Sequence, residues 1–298
     1  MNIKFKYKEI EINFDEPLGK GGFAEVYKGK EKNTGKVYAI KRFSKENLFE
    51  EELENMKIMN KCKNSVEYFG YFEHKNYIYI IIELCDCSLE QVIKNKKLNV
   101  KEIKEILEQL NNIFKIMYNN SIIHRDIKPE NILIKKLENN KYLYKLTDYG
   151  FSKQLTQSHN APTHVGTNYY IAPEIKNNLN IDKSKVDLWS IGILIHKLYF
   201  GNTPKNNIIQ KTNNIYLDDL IKKLLIEKPF DENKNNCRIS WEDYFNHNFF
   251  QNNYKKEIEN LKKENESLKS ENEKLKKEKE SFENRNNLLE KENKETKN

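Results

Sequence analysis

The chain has 298 residues, of which 37% are hydrophobic and 11% aromatic, and a formal charge of +7 from 52 basic and 45 acidic side chains. That much apolar surface can offset the ordering entropy of folding, so wholesale disorder is excluded, and the length allows roughly two structural units. The basic excess is small and dispersed, which argues against nucleic acid as a partner. No uncharged apolar run approaches the ~18–20 residues of a membrane span, the longest being the strand-sized Tyr77–Ile82, so no membrane partner is expected. The opening Met-Asn-Ile-Lys-Phe-Lys-Tyr-Lys interleaves charge with apolar residues, unlike a secretory signal. Cys62, Cys85, Cys87 and Cys237 form neither a paired CxxC set nor a dense framework, which predicts reduced thiols and a cytoplasmic protein, with nuclear entry left open.

In chain order, residues 1 to about 85 alternate apolar and polar positions in short runs, Lys36–Lys41 and Tyr77–Ile82 among them, and read as strands. One helix interrupts them over Asn47–Asn60, with Leu48, Leu53, Met56 and Met59 at mixed three- and four-residue spacings. From about 100 to 250 the apolar period is mostly helical, as in Ile103, Ile106, Leu107, Leu110, Ile113, Phe114 and Met117.

Residues 254–298 contain no Gly or Pro and repeat Leu261, Leu268, Leu275, Phe282 and Leu289 every seven positions. With these at d, the a positions are Ile258, Asn265, Asn272, Lys279, Asn286 and Asn293. In a parallel pair, Glu257 would face Lys262, Glu264 Lys269, Glu271 Lys276 and Arg285 Glu290, while Glu278 would repel Glu283. A parallel homodimeric coiled coil is expected.

Leu18-Gly19-Lys20-Gly21-Gly22-Phe23-Ala24-Glu25-Val26 is a glycine-rich turn between strand-like runs, where missing Cβ atoms let backbone N–H groups approach phosphate. Fifteen residues past Val26, the strand Val37-Tyr38-Ala39-Ile40-Lys41 delivers one cation. Further on, His124-Arg125-Asp126-Ile127-Lys128-Pro129-Glu130-Asn131 precedes the apolar Ile132-Leu133-Ile134, and Asp148-Tyr149-Gly150 begins seventeen residues after Asn131. A carboxylate to orient a hydroxyl, oxygen ligands for Mg²⁺ and cations for developing charge are the needs of phosphoryl transfer.

Taken together, these motifs resemble the eukaryotic protein kinase family, serine/threonine type, over about residues 9–250. The resemblance implies an α+β bilobal fold: a kinase domain over 1–253, with a small β-rich N-lobe about 1–84 and a larger helical C-lobe about 88–250, followed by the 254–298 coiled coil. It implies ATP and Mg²⁺ as cofactors and Ser/Thr hydroxyls of proteins as acceptors. By the same resemblance, Asp126 is the catalytic-loop base, Lys128 the cation at the transferred group, Lys41 the phosphate lysine, and Asn131 and Asp148 the metal ligands. Gly19, Lys20, Gly21, Gly22, Phe23 and Ala24 cover the phosphates; Leu18, Val26, Ala39 and Leu133 line the base; Ile82 is the gatekeeper, and Glu83 to Cys85 the hinge.

Gly166 to Glu174 resembles the end of an activation segment, Asp187 to Gly192 the helix beneath the catalytic loop, and Arg238 the arginine that pairs with Glu174. Ala24 replaces the third loop glycine, and Tyr149 the usual Phe, its hydroxyl requiring a partner or water. Glu54 is the expected helix carboxylate for Lys41; an alignment on Ile58-Met59 places Asn55 there instead, and Glu50, Glu51 and Glu52 are further choices. Arg125 beside Asp126 is expected to receive a phosphorylated activation-loop residue at Thr163. The competing functions are a pseudokinase scaffold working through the coiled coil, and a small-molecule kinase.

Overall fold

The structure, a computed structural model, describes residues 2–5, 8–21, 24–45, 50–94, 96–149, 169–177, 183–204, 209–230, 237–251 and 262–281. They fall in two units, Met1–Phe250 and Gln251–Asn298.

The first unit opens with strands β1 (Asn2–Phe5), β2 (Lys8–Ile12), β3 (Gly19–Lys20), β4 (Ala24–Glu31) and β5 (Val37–Ser44), then helix α1 (Glu50–Met59), β6 (Tyr68–His74) and β7 (Tyr77–Glu83). They form one antiparallel sheet in the order β1-β2-β4-β5-β7-β6, with β3 paired to β4. Residues directly opposite point the same way, and the register aligns Val26 with Lys41 and Ile80, and Ala39 with Ile82. One face therefore carries Ala39, Phe43, Ile78, Ile80 and Ile82, packed with Leu53, Met56 and Met59 of α1 and with the helical half in a single core. The other face gathers Phe5, Ile10, Ile12, Tyr27, Tyr38, Ile40, Tyr79 and Ile81 into a second, aromatic-rich core. Alternation along β5 is the reason one strand serves both.

The helical half contains β8 (Cys87–Ser88), α2 (Leu89–Ile93), α3 (Val100–Asn119), β9 (Ile132–Lys136), β10 (Tyr142–Leu146), α4 (Pro173–Lys176), α5 (Val186–Phe200), α6 (Ile215–Leu224) and α7 (Trp241–Phe245). β8, β9 and β10 make a small antiparallel sheet. α3 begins at a reciprocal cap: Asn99 Oδ1 accepts the Glu102 N–H at 3.0 Å, and the Glu102 carboxylate accepts the Asn99 N–H at 2.8 Å. All seven apolar positions read from its period, Ile103 to Met117, are buried. α5 is largely apolar and buried on nearly all sides, so it has no solvent stripe to betray its orientation. A Cβ at Gly192 would sit 2.7 Å from Leu225 Cδ2 and 2.9 Å from Leu224 Cβ, so only glycine lets α6 come this near to α5.

The second unit is described by a single helix, α8, over 262–281, in which every residue is exposed, including Leu268 and Leu275.

Candidate active site

The core-facing side of β5 brings Lys41 inside, 3% exposed, with its ammonium 4.7 Å from the Phe43 ring centroid and ion-paired to Asp148. A buried ammonium needs such a partner. Burial alone favours the neutral acid, but the charge and hydrogen bond of Lys41, with help from His124 and Lys128, outweigh it and hold the Asp148 carboxyl below its ordinary range. Asp148 adopts φ +65°, a left-handed backbone that non-glycine residues take at a cost.

The catalytic loop is suspended from α5. Asp187, buried in its first turn, accepts the backbone N–H groups of His124 and Arg125, both at 2.7 Å. Burial raises the Asp187 pKa against the pull of those donors. His124 Nε2 donates to the Thr147 carbonyl at 2.9 Å while Nδ1 accepts the Asp126 N–H at 3.3 Å, which assigns the tautomer and ties the loop to the strand end that leads to Asp148. Asp126 is fixed from two sides: Asn131 Nδ2 donates to its Oδ2 at 2.7 Å and to its carbonyl at 2.8 Å, and Lys128 Nζ lies 2.9 Å from Oδ1. Asp126, Lys128 and Asn131 therefore form one cluster, Lys41 and Asp148 another, and Lys128 lies near enough to Asp148 to act on its charge.

Both nitrogen-bound hydrogens of the Asn131 amide serve Asp126, so its oxygen is what this side chain can offer a cation. With the Asp148 carboxylate it makes a two-residue, all-oxygen donor set, which suits Mg²⁺ completed by water and phosphate. Among the described residues no His/Cys/Asp/Glu cluster supplies three ligands.

Gly19 pairs with Val26 and Lys20 with Glu25, and the Gly21 N–H donates to the Ala24 carbonyl at 2.9 Å. A Cβ at Gly19 would meet nothing within 4 Å, so internal packing does not explain glycine there; open space beside the backbone does. Gly22 and Phe23 lie outside the described residues. Leu18 is exposed, Val26 and Leu133 are half-buried, and Ala39 is buried directly opposite Ile82. Among the described residues the backbone of Cys85 makes no backbone hydrogen bond, whereas its neighbour Asp86 donates to the Ile134 carbonyl at 2.9 Å. Glu83 points elsewhere, its carboxylate 2.8 Å from Lys145 and 3.8 Å from Lys135.

Glu54 is not the partner of Lys41. Leu53, Met56 and Met59 occupy the buried side of α1, which turns residue 54 outward; its side chain is 64% exposed and pairs with Lys57 at 2.5 Å. Asn55, the alternative, is buried. The side chains of Glu50, Glu51 and Glu52 lie outside the described residues, as does Thr163. Arg125, at φ +64°, keeps its Nε buried with no hydrogen-bond partner among the described residues. Glu174 and Arg238 meet in a bidentate pair at 2.6 and 3.0 Å, both side chains fully buried, with the guanidinium 5.1 Å from the Trp189 ring centroid.

A protein kinase domain description matches residues 12–277. The chain belongs to the protein kinase family. Over 235 residues, 75% of its length, it is 31% identical to Calcium-dependent protein kinase 4 of Plasmodium berghei, covering 42% of that protein. It is similar also to Serine/threonine-protein kinase TIO of Arabidopsis thaliana, 28% identical over 85% of this chain and 20% of the relative, and to Serine/threonine-protein kinase KIC1 of Saccharomyces cerevisiae, 32% identical over 68% and 19%. The kinase chain thus spans less than half the length of these relatives. The β-sheet lobe and the helical lobe are the two halves of the family's bilobal fold.

Proposed function

We propose that this kinase transfers the γ-phosphoryl group of ATP to Ser or Thr hydroxyls of protein substrates. The observation behind the reading is Asp126, a carboxylate held by Asn131 and Lys128 on a loop anchored to α5, beside a Lys41–Asp148 ion pair. Asp126 would orient the acceptor hydroxyl and take its proton, Lys128 would offset charge on the transferring group, and Lys41 would hold phosphate oxygens. Asn131 and Asp148 would hold Mg²⁺, whose contribution when bound is to screen phosphate charge. The backbone of Cys85 faces the adenine edge in this reading, with Ala39 and Ile82 as the apolar wall.

Lys128 two positions beyond Asp126 supports a Ser/Thr acceptor, as do the names of the relatives. Regulation follows from Arg125: its buried Nε, without a hydrogen-bond partner among the described residues, would receive a phosphate on Thr163, ordering the activation segment. The exposed leucines of α8 would pair with a second copy and bring two kinase domains together for phosphorylation in trans.

The test is transfer of labelled phosphate from Mg²⁺ and ATP to a generic basic protein and to the enzyme itself. Phosphoserine or phosphothreonine is expected, and Asp126→Asn is expected to lower the rate by about 10²–10⁴-fold. Equal rates in the two proteins would rule the assignment out. Autophosphorylation is expected at Thr163, and Thr163→Ala should leave a poorly active enzyme; full activity in that variant would end the switch model.

A further inference from the structure

We propose that the Tyr149 hydroxyl and Ser65 form a latch that holds the Asp148-Tyr149 turn inward, which makes Tyr149 and Ser65 positioning residues for Asp148. The function of Asp148 rests on the kinase reading above; the latch itself rests on geometry.

A phenol buried in a core must find a hydrogen-bond partner or forfeit its desolvation energy. Tyr149 is buried, and its hydroxyl donates to Ser65 Oγ at 2.8 Å and lies 3.0 Å from the Leu146 carbonyl. Ser65 is buried too, and its own hydroxyl reaches the Val66 carbonyl at 3.3 Å, so its oxygen can accept from Tyr149 while its proton goes elsewhere.

Ser65 is a firm anchor because its segment is fastened to β10 without help from Tyr149. The Leu146 N–H donates to the Asn64 carbonyl at 2.8 Å, the Val66 N–H donates to the Leu146 carbonyl at 3.0 Å, and Lys145 Nζ donates to the Ser65 carbonyl at 3.0 Å. On the other side the Tyr149 ring meets His124 edge-on, with centroids 5.4 Å apart. The left-handed Asp148 immediately precedes the residue these two anchors hold. A residue held in such a region is strained and persists only where its surroundings over-determine it. Lys41 restrains the Asp148 side chain and the Thr147 N–H, donating to the Asn131 carbonyl at 3.0 Å, restrains the backbone before it. The phenol hydroxyl restrains the backbone after it. A turn ending in Phe, which has the ring but no hydroxyl, would have no equivalent bond.

The experiment compares the full chain with Tyr149→Phe, Ser65→Ala and the double variant, by native-state hydrogen exchange and by Mg²⁺ titration of binding to a non-hydrolysable ATP analogue. One hydrogen bond contributes about 1 kcal/mol, so Tyr149→Phe should exchange the Val66, Leu146 and Thr147 amides about fivefold faster, and Ser65→Ala, which leaves the phenol the Leu146 carbonyl as acceptor, should accelerate them by a smaller factor. The double variant should be no faster than Tyr149→Phe alone, and amides in α5 should not change. The Mg²⁺ concentration for half-saturation should rise by up to the same factor, with metal-free nucleotide affinity unaltered. Unchanged exchange, additive effects, or equal acceleration in α5 would overturn the latch. Faster local exchange with unchanged Mg²⁺ dependence would reduce the pair to a structural contact and overturn its positioning role. Exchange is read without nucleotide, so a chain that binds no nucleotide would count against the kinase reading and leave the latch to be judged by its amides.

Discussion

At the scale of single residues, Asp148 links the site to pH. Its carboxyl titrates below the ordinary Asp value of about 3.9, because the Lys41 ammonium overrides the effect of burial. A depressed folded-state pKa means stability that is fully present above the unfolded value and lost as pH falls through the folded one. The Asp148→Asn variant should therefore melt below the unmodified chain at pH 6, and the gap should narrow as pH falls below about 4. Thermal melts between pH 6 and 2.5 read this directly; a constant gap would show that the pair adds nothing to stability. The sequence offered Asp126, Lys128 and Asn131 together because they share one short motif, Asp148 because it opens a second, and Lys41 because an apolar strand delivers it. Glu54 was misplaced because mixed three- and four-residue spacings leave helix phase open by a residue, and one residue rotates a helix position by 100°. Ser65 belongs to no motif; its bond to Tyr149 spans 84 positions, and only tertiary packing brings them together.

At the scale of elements, the Glu174–Arg238 pair ties α4 to the segment entering α7. The guanidinium also donates to the carbonyls of Ile226 at 3.1 Å, Lys185 at 3.0 Å and Glu227 at 3.3 Å, so one buried cation closes the open ends of several chain segments. Truncating one member of such a pair leaves the other charge buried, at a cost of about 3–5 kcal/mol. Arg238→Ala should accordingly lower the melting temperature by about 10 °C, and adding Glu174→Gln should restore part of it. No recovery in the double variant would mean that the carbonyl bonds, rather than the charge pair, dominate. Element type was legible wherever burial is one-sided, as in α3, because the pattern records which side faces inward. It was less legible for α5, which is buried on nearly all sides and so has no periodic signal; the resemblance placed Asp187 to Gly192 beneath the catalytic loop, and the hydrogen bonds to His124 and Arg125 show that Asp187 is the anchor.

At the scale of the molecule, the remaining question is what covers α8. Leu268 and Leu275 stand 50% and 56% exposed on a helix whose other residues are polar or charged, and residues seven apart drift little around a helix, so the two leucines form a seam. A lone helix of this composition gains nothing from keeping them in register, whereas a parallel second copy would bury both and set Glu264 against Lys269 and Glu271 against Lys276. Asn265, Asn272 and Lys279 at the alternate seam positions would weaken the association while fixing its register. The full chain should therefore form a concentration-dependent dimer by sedimentation equilibrium, weaker at high salt as its ion pairs are screened. Leu268→Asp with Leu275→Asp should make it monomeric without changing the melting of the kinase domain, whose core lies in the other unit. If dimerisation serves phosphorylation in trans, the unmodified chain should autophosphorylate at a rate that climbs faster than linearly with enzyme concentration, and the double variant should need much higher concentration to match it. A rate strictly proportional to enzyme concentration would place the reaction within one chain and leave α8 for a different partner.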